Sequence, residues 1–154
     1  MINLNQIDID AAVAICIANG MKEMANADDD LHPDELSLIN GFVSEISNEF
    51  PNIDIENTAI DISVLDTQDK QILFLQCLTY VALADRIIQD QEVALLQKYV
   101  DAFDVDVTPK DLIRELGATF IAQYKDIVAC RDTIVNIGKE FGLSEEKINE
   151  ILSA

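Results

Sequence analysis

Residues 27–35 read Ala27-Asp28-Asp29-Asp30-Leu31-His32-Pro33-Asp34-Glu35, and their frame returns 57 positions later as Ala84-Asp85-Arg86-Ile87-Ile88-Gln89-Asp90-Gln91-Glu92. Extending the register in both directions needs no gap. Between Met24–Ile46 and Val81–Phe103 the pairs Ala25/Ala82, Ala27/Ala84, Asp28/Asp85, Glu35/Glu92 and Val43/Val100 are identical. Leu31/Ile88, Leu36/Val93, Leu38/Leu95, Ile39/Leu96 and Phe42/Tyr99 exchange one apolar residue for another. On both sides of the frame apolar residues recur at steps of three and four, the period of a half-buried helix. Each copy is therefore expected to be a helical hairpin with one apolar face. Such a unit cannot bury itself, so two of them should share a core about a pseudo-twofold axis.

The rest of the chain continues the helical pattern. Asp8 or Asp10 can cap a helix from Ile9 to Ala27. Pro33 opens a second, with Leu36, Leu38, Ile39, Phe42, Val43 and Ile46 as its inward face and Pro51 as its stop. Residues 52–66 are expected to be a loop with one short helix near Thr58–Leu65, because an isolated strand would leave its backbone unpaired. Asp66 or Thr67 caps a helix to about Arg86, with Ile72, Leu75, Leu78, Val81 and Ala82 inward. Asp90 to Phe103 follows. Thr108-Pro109 starts a short helix that Gly117 is expected to end, and a longer one is expected over Ala118–Phe141. Gly142 stops that one, and Ser144 caps the last. The expectation is an all-α domain over residues 1–154, of about seven or eight helices. Repeat 1 covers about 9–50, repeat 2 about 66–104, and further helices 108–154.

Charge narrows the function. The formal net charge is -19 on 154 residues. Residues 1–69 hold fifteen acids against Lys22 alone, and residues 70–154 hold fourteen acids and nine bases. Nucleic acid and anionic membrane need a basic face, so the charge argues against both as partners, and no membrane span is expected. A divalent cation or a protein with a basic surface fits. The longest uncharged run, Gln71–Ala84, is too short to span a bilayer, which takes about 20 residues. The first ten residues carry Asp8 and Asp10 instead of a basic signal-peptide head. Cys16, Cys77 and Cys130 stand alone among apolar neighbours, as reduced buried thiols do in the cytoplasm.

Helical spacing puts Asp28 on the stripe of Met21 and Met24, and Glu35 on that of Leu38, Ile39 and Phe42. Asp85 and Glu92 repeat this placement, so four carboxylates stand at the inner ends of the hairpins. Two readings stay open. In the first, Glu35 and Glu92 cap their helices from the third position and Asp28 and Asp85 accept turn amides. In the second, Asp28, Asp30, Glu35, Asp85 and Glu92 share Ca²⁺, Mg²⁺ or Mn²⁺ through hard oxygen donors. An EF-hand loop is excluded, since counting from Asp28 gives no glycine at the sixth position and Ile39 at the twelfth. An enzyme is not expected: His32 is the single histidine, at a helix start, and no nucleophile set or phosphate loop is present.

The doubled Ala-Asp-x-x-[Leu/Ile]-x-x-x-Glu hairpins, with the closing Phe141-Gly142-Leu143-Ser144, resemble the TerB-like family, named for the tellurite-resistance protein TerB. The resemblance spans roughly residues 10–152. It implies an all-helical fold with internal pseudo-symmetry, an acidic surface proposed to bind metal cations, a cytoplasmic role in tellurite or other chemical stress, and no established enzymatic activity. Family members commonly place Gly after the motif Asp, where this chain has Asp29 and Arg86. The function expected is thus an acidic binding or scaffold module. The alternative is an immunity- or inhibitor-type protein masking a basic partner.

Overall fold

The computed structural model describes residues 7–84, 88–127 and 131–154. Among them are seven α-helices and no strand. They are α1 (Ala11–Ala25), α2 (Pro33–Glu49), α3 (Gln68–Ala82), α4 (Asp90–Phe103), α5 (Pro109–Tyr124), α6 (Arg131–Glu140) and α7 (Glu145–Ser153), with a 3-10 turn at Ile62–Val64. The chain divides into two units, the first running to Asp106 and the second from Val107 to Ala154.

In the first unit α1 packs against α2, α3 and the 3-10 turn, and α3 packs against α2 and α4. The starts are locally encoded. Asp10, and not Asp8, caps α1 by accepting the Val13 amide at 2.9 Å, and Thr67 caps α3 by accepting the Lys70 amide at 3.3 Å. Between α2 and α3 the loop is pinned by Asn19, whose side-chain amide donates to the Thr58 carbonyl at 2.8 Å. Ile55 is buried there with Ala14, Ala18 and Ile46. The loop and short helical turn expected over 52–66 are present, with the helical part confined to three residues.

Phe74 is the centre of the unit. It is fully buried, and its ring meets Tyr99 edge-on at 5.0 Å and Phe103 edge-on at 5.7 Å. Gly20 lets that ring lie directly on the α1 backbone: a Cβ added there would stand 2.5 Å from the ring edge. Gly20 is thus a packing glycine inside a helix that tolerates the propensity cost. Gly41, within α2, has the opposite setting, since an added Cβ would meet nothing within 4 Å. Gly41→Ala is expected to raise stability by about 0.8–1 kcal/mol through helix propensity alone, measured as a higher urea midpoint at unchanged slope.

In the second unit α5 packs against α6 and α7, and α6 against α7. Ile121, Ile134, Leu143 and Ile148 form its core. Thr108 and Asp111 cap α5 reciprocally: Thr108 Oγ1 accepts the Asp111 amide at 3.2 Å, and Asp111 Oδ2 accepts the Thr108 amide at 2.9 Å. The Thr108 hydroxyl also donates to Asp111 Oδ2 at 2.8 Å, and that bond, followed by the one from the Thr108 amide, holds the Asp111 carboxyl below the usual range. Gly117 does not end the helix as expected, and no helix spans Ala118–Phe141. Instead α5 runs through Gly117 to Tyr124, and α6 is a separate helix lying against it. The physical reason is a close approach, because a Cβ at Gly117 would stand 2.5 Å from the Phe141 Cβ. This glycine marks where Phe141 closes onto α5. Gly142 does behave as a stop, with φ 79°. Val128 and Cys130, which were expected on an apolar face and as a buried thiol, lie outside the described residues.

Candidate functional site

The expected acidic residues fall at the turn joining α1 to α2 and at its counterpart before α4. Helix α1 stops at Ala25, two residues short of expectation. Asn26 ends it: its backbone N–H bonds back to Lys22 and Glu23 carbonyls, and its side-chain amide donates to the Lys22 carbonyl at 2.8 Å. The chain then turns through Asp29, whose φ of 61° is left-handed. Asp is among the non-glycine residues that adopt this region at moderate cost.

That early stop corrects the placement of Asp28. It is not on the buried stripe of Met21 and Met24 but in the turn, half-exposed, where its Oδ1 accepts the Asp30 amide at 3.0 Å. Asp30 is exposed. Glu35 stands where the spacing put it, 1% exposed, and its Oε2 accepts the His32 amide at 3.0 Å. His32 Nδ1 in turn accepts the Asp34 amide at 3.2 Å, so the lone histidine is a helix cap. Glu92 repeats Glu35: it is 1% exposed and accepts the Gln89 amide at 2.7 Å. Asp85, the fifth expected ligand, lies outside the described residues, as do Arg86 and Ile87.

Each glutamate thus sits at the third position of its helix and closes the cap from inside the core. A carboxylate accepting an otherwise orphaned N-terminal amide also complements the helix dipole. Among the described residues no three Asp, Glu, His or Cys side chains are grouped so as to hold a metal ion. The turn brings Asp28, Asp30 and Glu35 near one another in sequence but engages Asp28 and Glu35 with backbone amides.

Among the described residues the two thiols, Cys16 and Cys77, are not activated as nucleophiles. Cys16 and Cys77 form no disulfide. Burial pushes the Cys16 thiol up to about 11 and that of Cys77 up to about 12, leaving both protonated at neutral pH.

One polar cluster was missed in the sequence. Tyr99, 5% exposed, donates its hydroxyl to Glu23 Oε2 at 2.6 Å, tying α4 to α1. Lys98 Nζ lies 3.7 Å from the other Glu23 oxygen and 5.2 Å from the Tyr99 ring centroid. Burial, and then the Glu23 contact, holds the Tyr99 hydroxyl above the ordinary tyrosine range, so it stays a donor. The available signal was the Phe42/Tyr99 exchange between the repeats: a tyrosine on a buried stripe needs an acceptor for its hydroxyl.

Compared with protein-family models, curated proteins and solved structures, the chain matches none. No helix among the described residues is long and apolar enough to cross a membrane.

Proposed function

We propose that this chain is a non-catalytic, acidic binding module of the TerB-like kind, built on two pseudo-symmetric helical hairpins and working in the cytoplasm in a stress response. One observation carries the reading. The glutamates that recur, Glu35 and Glu92, are buried caps, whereas Asp29, Asp30 and Asp34, present only in the first copy, face solvent. The repeated acids hold the hairpins together and the unrepeated ones are left to meet a partner. With a net charge of -19, that partner is a protein with a basic surface, drawn in by long-range attraction. An inhibitor that masks a basic toxin is the same chemistry with a different partner.

The test uses poly-lysine as the probe. Its affinity is expected to fall steeply between low and physiological salt, and to drop in Asp29→Asn/Asp30→Asn/Asp34→Asn. Binding that is insensitive to salt and to these substitutions would remove the basis of the proposal. Asp28 and Asp30 are also the residues a divalent cation would use, with solvent completing its shell. Thermal melts in Ca²⁺, Mg²⁺ and Mn²⁺ decide that point against NaCl of matched ionic strength. A rise beyond the NaCl control that Asp28→Asn abolishes adds a cation to the module, and a rise equal to the control leaves protein contacts alone.

A further inference from the structure

The two hairpins use the same apolar device at the start of their second helices but expose it differently. Leu31 precedes the cap residue His32 and Leu36 is the fourth residue of α2, the two positions that pack together as a hydrophobic staple. Ile88 and Val93 occupy the same positions about Gln89 in α4. In α4 both are half-buried. At the start of α2 Leu31 is 44% and Leu36 43% exposed, although the spacing had put Leu36 on the inward face. The buried stripe of α2 instead runs through Glu35, Ile39 and Ile46. Rotated that way, the helix turns Leu36 outward, at the position that a staple pairs with Leu31, and the exposed Asp29, Asp30 and Asp34 border the two leucines in sequence.

We propose that Leu31 and Leu36, bordered by Asp29, Asp30 and Asp34, are the docking surface for a cationic amphipathic segment of a partner protein, one presenting leucine-type side chains beside lysine or arginine. This deepens the acidic-module reading and rests on it. Charge complementarity selects the occupant. A second copy would bring the same aspartates against these and the same net charge of -19. Nucleic acid and anionic lipid are repelled in the same way. A wholly apolar partner would strip water from three carboxylates without pairing them, and a wholly polar cation would leave the two leucines in water. A segment carrying both chemistries satisfies both halves of the patch. Its contact is small, as in transient complexes.

Fluorescence anisotropy tests this with two labelled helical peptides of equal charge. One carries leucines at three- and four-residue steps among lysines, and the other has serine in place of every leucine. The leucine peptide is expected to bind the intact protein more tightly than the serine peptide. Leu31→Ser/Leu36→Ser should raise its Kd about ten-fold or more and leave serine-peptide binding unchanged. Both substitutions are at exposed positions, and melting followed by circular dichroism verifies that the variant is folded. Asp30→Asn/Asp34→Asn should instead weaken both peptides and flatten the salt dependence. If the two peptides bind alike, or the leucine peptide ignores the double serine variant, this docking surface is wrong while the charge-based module stands. If neither peptide binds, both fall. A sedimenting dimer that the serine variant dissociates would make the occupant a second copy and overturn the proposal.

Discussion

Phe74→Ala is expected to lower the unfolding free energy of the protein by about 3–5 kcal/mol, the largest loss of any single truncation. Phe74 is fully buried, and its ring fills the space between the α1 backbone at Gly20 and the rings of Tyr99 and Phe103. Removing it deletes two edge-to-face contacts as well as the buried area. The gap cannot close easily, because Tyr99 is held to Glu23 through its hydroxyl. A loss of that size is a large fraction of the roughly 5–15 kcal/mol that holds a domain together. Urea unfolding followed by circular dichroism measures it. A loss below about 1 kcal/mol would mean that the three helices collapse into the space and that Phe74 does not organise them.

Glu35→Ala and Glu92→Ala are each expected to cost about 1–3 kcal/mol, by leaving the His32 or Gln89 amide without its acceptor. Glu35→Gln and Glu92→Gln should cost much less, because a carboxamide oxygen accepts the same amide in a capping box. The Ala-against-Gln comparison separates the cap from an ionic role. If Gln is as damaging as Ala in either hairpin, the negative charge itself is required there, and the assignment of these residues as caps is wrong. Equal behaviour of the two positions is also expected, since each glutamate is 1% exposed and bonded to the amide three residues earlier.

Much of the architecture was legible in the residues because it is local. Asp10, Thr67, Thr108 and Ser144 announce helix starts through side chains that reach amides three residues away. The inward glutamates were legible too. Their spacing from Ile39 and Leu96 places them on a buried stripe, and both are buried there. Asp28 was not, since its position depends on where α1 stops. Asn26 stops the helix with bonds to carbonyls of the last turn, and helical spacing counted from Met21 cannot foresee that.

What lay beyond the sequence were the contacts between elements. Gly20, Gly41 and Gly117 all lie inside helices, although Gly117 was expected to end one. Yet one seats the Phe74 ring, one faces open space and one receives Phe141. The difference lies in which side chain arrives from another helix, and helix periodicity carries no information on that. Leu36 fails for the same reason: a stripe drawn through every apolar residue of α2 is wider than the face its neighbours cover, and packing fully buries only Ile39 and Ile46 of it, together with Glu35. The repeated frame Ala27–Glu35 and Ala84–Glu92 specifies two alike helix starts. The folded chain makes them unlike, with Ile88 and Val93 half-buried and Leu31 and Leu36 exposed.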